Sequence, residues 1–173
     1  MLPENPNKKL KFNEDNLREI YLAGGCFWGV DAYLARVPGV YRTESGYANG
    51  HKEPPVTYRE VCTGKTGYAE AVYILYDHTK ITLEALLDEF FEIIDPTVLN
   101  RQANDIGTQY RTGIYFVAPE DKEIIDRVMI RQQEKYSLPI VTEVQKIDNY
   151  CPAEEYHQDY LEKNPGGYCH ITF

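Results

Sequence analysis

The sequence predicts an α+β domain of two layers, a mixed sheet with helices on one side. Three observations lead there. The 173 residues suit one domain at roughly 100–200 residues each. Stretches with period-two alternation are interleaved with stretches whose apolar residues recur at three and four. No internal repeat or low-complexity segment interrupts them, and strands and helices are mixed along the chain.

Residues 1–16 are polar, contain Pro3 and Pro6, and read as an arm; residues 17–173 read as a single domain. From Arg18 to Ala23, Ile20 and Leu22 alternate with their neighbours as a strand, which Gly24-Gly25 breaks. Phe27, Val30, Leu34 and Val37 then mark one face of a helix that Pro38-Gly39 stops. Val40–Ala48 and Thr57–Thr63 read as strands around a Pro-containing loop, and Cys62, alternating within the second, reads as core. Ala69–Tyr76 is another strand. Thr82 is an N-cap for a helix carrying Leu83, Leu86, Leu87, Phe90, Phe91 and Ile94, ended by Asp95-Pro96. Residues 95–112 are polar without apolar period. Gly113–Ala118 is a strand, and Pro119 suits the first position of a helix reaching about Tyr136. Ile140–Ile147 is the last strand expected, Ala153–Lys163 a short helix, and residues 164–173 an irregular tail.

Hydrophobic residues make up 43% and charged residues 26%, which suits a globular chain with a core. Eighteen basic residues against 27 acidic ones leave a net charge of −9, which disfavours nucleic acid and anionic lipid as partners. Nothing approaches the run of about 20 apolar residues that spans a bilayer. The first residues lack a secretory apolar core, so the expected address is the cytoplasm. No long apolar stripe calls for a mate, so a monomer is expected. The four cysteines, at 26, 62, 151 and 169, are too dispersed for a disulfide scaffold, and no C-x-x-C occurs.

One cysteine has a distinctive setting, Gly24-Gly25-Cys26-Phe27-Trp28-Gly29. A thiol in the first helical turn lies near unpaired N–H groups and the positive end of the helix dipole, which favour the reactive thiolate. Phe27 and Trp28 supply apolar faces there, one of which can wall a small apolar group. Spacing alone leaves two readings open: a nucleophile beside its pocket, or a packing cysteine among core aromatics.

Gly25-Cys26-Phe27-Trp28-Gly29 resembles the signature of the A-type methionine sulfoxide reductases. The likeness continues through Tyr58-Arg-Glu-Val-Cys62, Gly67-Tyr-Ala-Glu70-Ala-Val72, Asn104-Asp105-Ile-Gly107-Thr-Gln-Tyr110-Arg111, Tyr156-His157-Gln158 and Gly167-Tyr168-Cys169, in order, over about residues 18–170. The resemblance implies a mixed α+β fold with a ferredoxin-like core and a long irregular C-terminal segment. It implies reduction of the S-epimer of methionine sulfoxide, free or within proteins, as oxidative repair.

By the same resemblance Cys26 attacks the sulfoxide sulfur, Glu70 is the acid, and Tyr58 and Tyr110 donate hydrogen bonds to the oxygen. A carboxyl group walled by aromatic rings is desolvated and keeps its proton near neutrality. Phe27 and Trp28 bound a pocket for the S-methyl group, a contact worth about 1–3 kcal/mol of discrimination. Asp105 lies near the substrate, and His157, Tyr160 and Tyr168 surround the site. The resulting Cys26 sulfenic acid condenses with Cys169, on a tail loosened by Pro165-Gly166-Gly167. The disulfide is then reduced by thioredoxin, or by dithiothreitol, with no bound cofactor. Many relatives carry a second tail cysteine that relays the disulfide; here none follows Cys169. Relatives commonly have histidine at Tyr68 and an aromatic residue at Cys151, which is a spare thiol or an alternative resolver.

Three other readings stand beside this one. A cysteine hydrolase would pair Cys26 with a histidine such as His157 and would not need Cys169. A non-enzymatic module would bind partners through its fifteen tyrosines. A metal site would gather the four cysteines.

Overall fold

The computed structural model describes residues 1–173. Its strands in chain order are β1 (Leu17–Gly24), β2 (Val40–Ala48), β3 (Ala69–Asp77), β4 (Arg101–Gln102), β5 (Asp105–Ile106), β6 (Thr112–Phe116), β7 (Glu143–Lys146) and β8 (Tyr150–Pro152). The helices are α1 (Phe27–Leu34), α2 (Tyr58–Cys62), α3 (Leu83–Glu92), α4 (Asp121–Gln133) and α5 (Tyr160–Lys163). Six strands form one sheet in the order β7-β6-β1-β3-β2-β8, and β4 and β5 form a separate ribbon. All neighbours in the large sheet are antiparallel except β6 and β7. The sheet is mixed and the fold α+β.

Register explains the two layers. Ile20 of β1 stands opposite Ile74 and Phe116, and Leu22 opposite Val72 and Ile114. These side chains share one face, because successive residues of a strand point to opposite faces. Val30 and Leu34 of α1, Leu83, Leu86, Leu87 and Phe90 of α3, and Ile125 and Val128 of α4 join them in one buried core. The other face carries Tyr21 opposite both Tyr73 and Tyr115. Tyr150 packs on Tyr21 at 4.8 Å between ring centroids. Several tyrosines therefore cover the sheet face that has no helix, with their hydroxyls turned to carboxylates: Tyr115 donates to Glu143 at 2.7 Å and Tyr73 to Glu19 at 2.5 Å.

The segment 57–63 is not a strand. Thr57 and Glu60 form a capping box, with Glu60 N–H donating to Thr57 Oγ1 at 3.2 Å and Thr57 N–H to Glu60 Oε1 at 3.4 Å. Those two bonds satisfy helix N–H groups locally and outweigh the β-preference of Tyr58 and Val61. Cys62 consequently leaves the core and is exposed. The last strand is β8 rather than one ending at Ile147; only three residues long and closed by Pro152, it lacks a readable period. The helix expected over 153–163 is split by Asp159, which takes a left-handed conformation (φ 51°), into a 3-10 turn Glu155–His157 and α5. Helix α1 ends at Leu34, and α4 begins at Asp121, two residues beyond Pro119.

Asn7 and Arg36 tie down the N-terminal segment, Arg36 by donating from Nε to the Pro3 carbonyl at 2.7 Å. Asn7 donates to the carbonyls of Ala35 and Val37 at 2.9 and 2.8 Å and accepts from Gly39 N–H at 2.9 Å, closing the loop after α1. No helix is long and apolar enough to cross a membrane.

Candidate active site

The turn between β1 and α1 is built on Gly25, whose φ of +87° suits glycine, and where a Cβ would lie 2.6 Å from Cβ of Gln102. This turn sets Cys26 at the N-cap of α1. The backbone N–H of Trp28 points at its sulfur and favours the thiolate. Burial acts the other way and is the larger effect, with the Glu70 carboxyl adding to it, so the thiol is held well above its ordinary range. The magnitudes explain the outcome: a helix terminus is worth about 0.3–1 kcal/mol, whereas desolvating an ion amounts to several kcal/mol. Cys26 is 7% exposed and rests as a thiol, not as the ionised sulfur its position suggested.

Glu70 lies on β3 opposite Tyr47 of β2 and is 1% exposed. Its Oε1 accepts the backbone N–H of Phe27 at 3.2 Å, while Oε2 is sealed from solvent with no partner. Burial pushes its carboxyl up to about 8, against the Phe27 N–H and with help from Asp105. Near pH 7 it is a neutral acid, and because Oε1 accepts a hydrogen bond the proton belongs on Oε2. Tyr58, the first residue of α2, and Tyr110, closing the 3-10 turn Thr108–Tyr110, are both half-buried. Burial and then the Glu70 charge raise both phenols, which places Glu70, Tyr58 and Tyr110 in one cluster. Tyr110 also senses Cys26 and Asp105.

An aromatic chain supports this cluster. Tyr58 packs on His157 at 4.5 Å, and Trp28 stacks on Tyr160 at 3.8 Å and 11°. Trp28 Nε1–H donates to Nδ1 of His157 at 2.9 Å. The fully buried His157 thus holds its proton on Nε2, and its engagement with Trp28 removes it as a base for Cys26, the arrangement a cysteine hydrolase would need. Trp28 is half-buried, but Phe27 is only 1% exposed, with its ring against Tyr47 and His157. Phe27 therefore reaches the site through its N–H, and Trp28 is the aromatic face left open.

The C-terminal tail closes over the turn. A Cβ at Gly29 would lie 2.9 Å from Sγ of Cys169, so this thiol is seated against α1 one helical turn beyond Cys26. Both thiols are free. Tyr168, 42% exposed, faces Asp105 and Cys26. His170 covers Gly25, its Cε1 3.6 Å from where a Cβ would sit. Cys26 lines none of the four hollows in the surface, since the tail lies over its turn. The largest, about 410 Å³, lies between the N-terminal segment and β2. Cys151 is buried on β8 opposite Tyr47, on the side of β2 away from β3.

Three further residues have structural work here: Glu154 and Gln102, which sequence patterns did not single out, and Cys62, which they placed in the core. Glu154 accepts from the Tyr47 hydroxyl at 2.8 Å and from Tyr58 N–H at 3.0 Å, anchoring the start of α2. Cys62 brings its thiol beside the Tyr58 hydroxyl. Gln102, buried, bonds both the N–H and the carbonyl of Asp95, at 2.9 and 2.8 Å, beneath Gly25. A lone acid, a cysteine in a five-residue helix and a glutamine in a polar loop carry no periodic signal.

A buried thiol, a neutral carboxyl group and two phenols are thus gathered at one place on an α+β frame. A family model described as peptide methionine sulfoxide reductase matches residues 18–173, and the chain belongs to that family. A peptide methionine sulfoxide reductase MsrA of Alkaliphilus metalliredigens is 59% identical over 156 residues, covering 90% of this chain and 98% of the relative. Another from Clostridium botulinum is 57% identical over 155 residues, with the same coverage. Among solved structures, Mxr1 from Saccharomyces cerevisiae in reduced form is similar with a TM-score of 0.86 at 39% identity, over 94% of this chain and 93% of that one.

Proposed function

We propose that this protein reduces the S-epimer of methionine sulfoxide, free or in oxidised proteins, with Cys26 as nucleophile and Glu70 as acid. The observation that carries the reading is the pairing of a buried thiol with a sealed, neutral carboxyl oxygen, Glu70 Oε2. A sulfoxide is a poor electrophile until its oxygen is hydrogen-bonded and protonated. Tyr58 and Tyr110 hold that oxygen, Glu70 supplies its proton, and the S–O bond of the substrate breaks as Cys26 attacks. The new bond joins the Cys26 sulfur to the substrate sulfur; the hydroxide released from the substrate then attacks the Cys26 sulfur, that S–S bond breaks, methionine leaves, and Cys26 is left as a sulfenic acid. Because Cys26 starts protonated, its proton replaces the one Glu70 gives up, and the acid is restored.

Trp28, backed by Tyr160 and His157, packs against the S-methyl group, with the buried Phe27 behind it and Asp105 and Tyr168 at the rim. Exchanging methyl and oxygen would put a polar atom against aromatic rings and leave buried donors unpaired, which disfavours the other epimer. Cys169 then condenses with the sulfenic acid, releasing water. Thioredoxin, or dithiothreitol in vitro, reduces the Cys26–Cys169 disulfide. The enzyme acts without a bound cofactor, as a cytoplasmic monomer, in residues 17–173. The test is reduction of a protected methionine S-sulfoxide with dithiothreitol by wild type and Cys26→Ser: activity should vanish in the variant, and retained turnover sinks the reading.

A further inference from the structure

We infer that His170 carries the proton of the second half of the cycle, taking it from the Cys169 thiol and delivering it to the oxygen that departs from Cys26. The inference rests on the reductase reading above and concerns the step after methionine has been released.

The geometry separates this histidine from an ordinary packed one. It follows Cys169 in the chain, and its ring lies over Gly25, the residue before Cys26. The ring thus stands where the tail that carries Cys169 crosses the turn that carries Cys26. Both of its ring nitrogens are sealed from solvent and neither meets a side-chain partner; the Gly24 backbone is the one hydrogen-bonding group that faces the ring. His157, by contrast, has one nitrogen committed to Trp28. Oδ2 of Asp105 is likewise sealed and unpartnered. The groups facing His170 are the Asp105 carboxylate from β5, the Gly24 backbone of β1 and the Tyr168 ring at 6.4 Å. Burial keeps the ring neutral and Asp105 opposes that, so the imidazole is a base at rest whose cation has a counter-charge waiting.

The step balances without any other reactant. The S–H bond of Cys169 breaks and its proton moves to an imidazole nitrogen. The thiolate, which already accepts Ile171 N–H at 3.4 Å, attacks the Cys26 sulfur. The S–O bond of the sulfenic acid breaks as the S–S bond forms. The departing hydroxide takes the proton from His170 and leaves as water, returning the ring to its neutral form. Asp105 stabilises the imidazolium between the two transfers.

The experiment is a single turnover: fully reduced enzyme is mixed with a protected methionine S-sulfoxide in the absence of reductant. Quenched samples are assayed for methionine and for free thiols. Wild type should release one equivalent of methionine and then lose two thiols. His170→Ala should still release its equivalent, with thiol loss slowed about 100-fold, within the range for removal of a general acid–base. Its pH profile should also lose the limb due to an imidazole. His170→Gln, which keeps hydrogen-bonding groups but cannot titrate, should be as slow as His170→Ala. Thiol loss at the wild-type rate and pH profile in either variant would overturn the inference while leaving the reductase intact. Wild type releasing no methionine would instead overturn the reductase reading itself.

Discussion

The backbone N–H of Phe27 donates to Oε1 of Glu70 at 3.2 Å, joining the residue after the thiol to the buried acid across the α1–β3 contact. This bond fixes which carboxyl oxygen is engaged and which is free. It also means that the glycine turn, the helix start and the acid move as one unit, and disturbing any of them alters the proton inventory of the site.

Glu70→Gln should keep the Phe27 bond, because an amide oxygen also accepts, while losing the proton. We expect kcat/KM to fall by about 100-fold with little change in folding. In wild type the rate should decline as pH rises through about 8, where Glu70 ionises, and that limb should be missing from the variant. Coincident profiles would remove Glu70 as the acid.

The same carboxyl predicts a stability trend. Its pKa rises from an ordinary 4.5 to about 8 on folding, so between those values the folded state binds more protons than the unfolded one. Stability from this group is complete below about 4.5 and is lost as pH increases to about 8. The melting temperature of wild type relative to Glu70→Gln should therefore drop between pH 5 and pH 8. A constant difference over that interval contradicts the assignment.

Cys169→Ser should release one equivalent of methionine and then stall with thioredoxin while still cycling with dithiothreitol. Steady thioredoxin-driven turnover in this variant would transfer the resolving role to Cys151.

Gly29→Ala tests the seating of the tail. Alanine is favoured in a helix by about 1 kcal/mol, but its Cβ would come 2.9 Å from the Cys169 sulfur. The tail must shift, so disulfide formation should slow several-fold in a single turnover while the methionine burst persists. An unchanged rate of thiol loss would show that Cys169 reaches Cys26 from elsewhere.

Thr57→Ala removes one half of the capping box and should destabilise the protein by about 1 kcal/mol in denaturant titration. Because Tyr58 begins α2, KM for the sulfoxide should rise as well. Stability equal to wild type would mean that α2 is held by Glu154 alone.

Local chemistry was enough to determine much of this protein. Alternation specified β1, β2 and β3, the stripe from Leu83 to Phe91 specified α3, and Gly24-Gly25 followed by Cys26 put a thiol at a helix start. Ordered motifs identified the family, since they lie in the sequence itself. Position and protonation were decided only in three dimensions. The dipole and N–H groups at the start of α1 are local and favour an ion, but how much water the sulfur loses depends on β3, the ribbon and the tail together, and that loss is the larger effect. The helix at Thr57–Cys62 turned on a three-residue reciprocal bond that outweighs a β-like pattern, which moved Cys62 from the expected core to the surface. The meeting of His170, Asp105 and Gly25 has no signature along the chain, because it is made by a tail without periodicity folding back across two other segments.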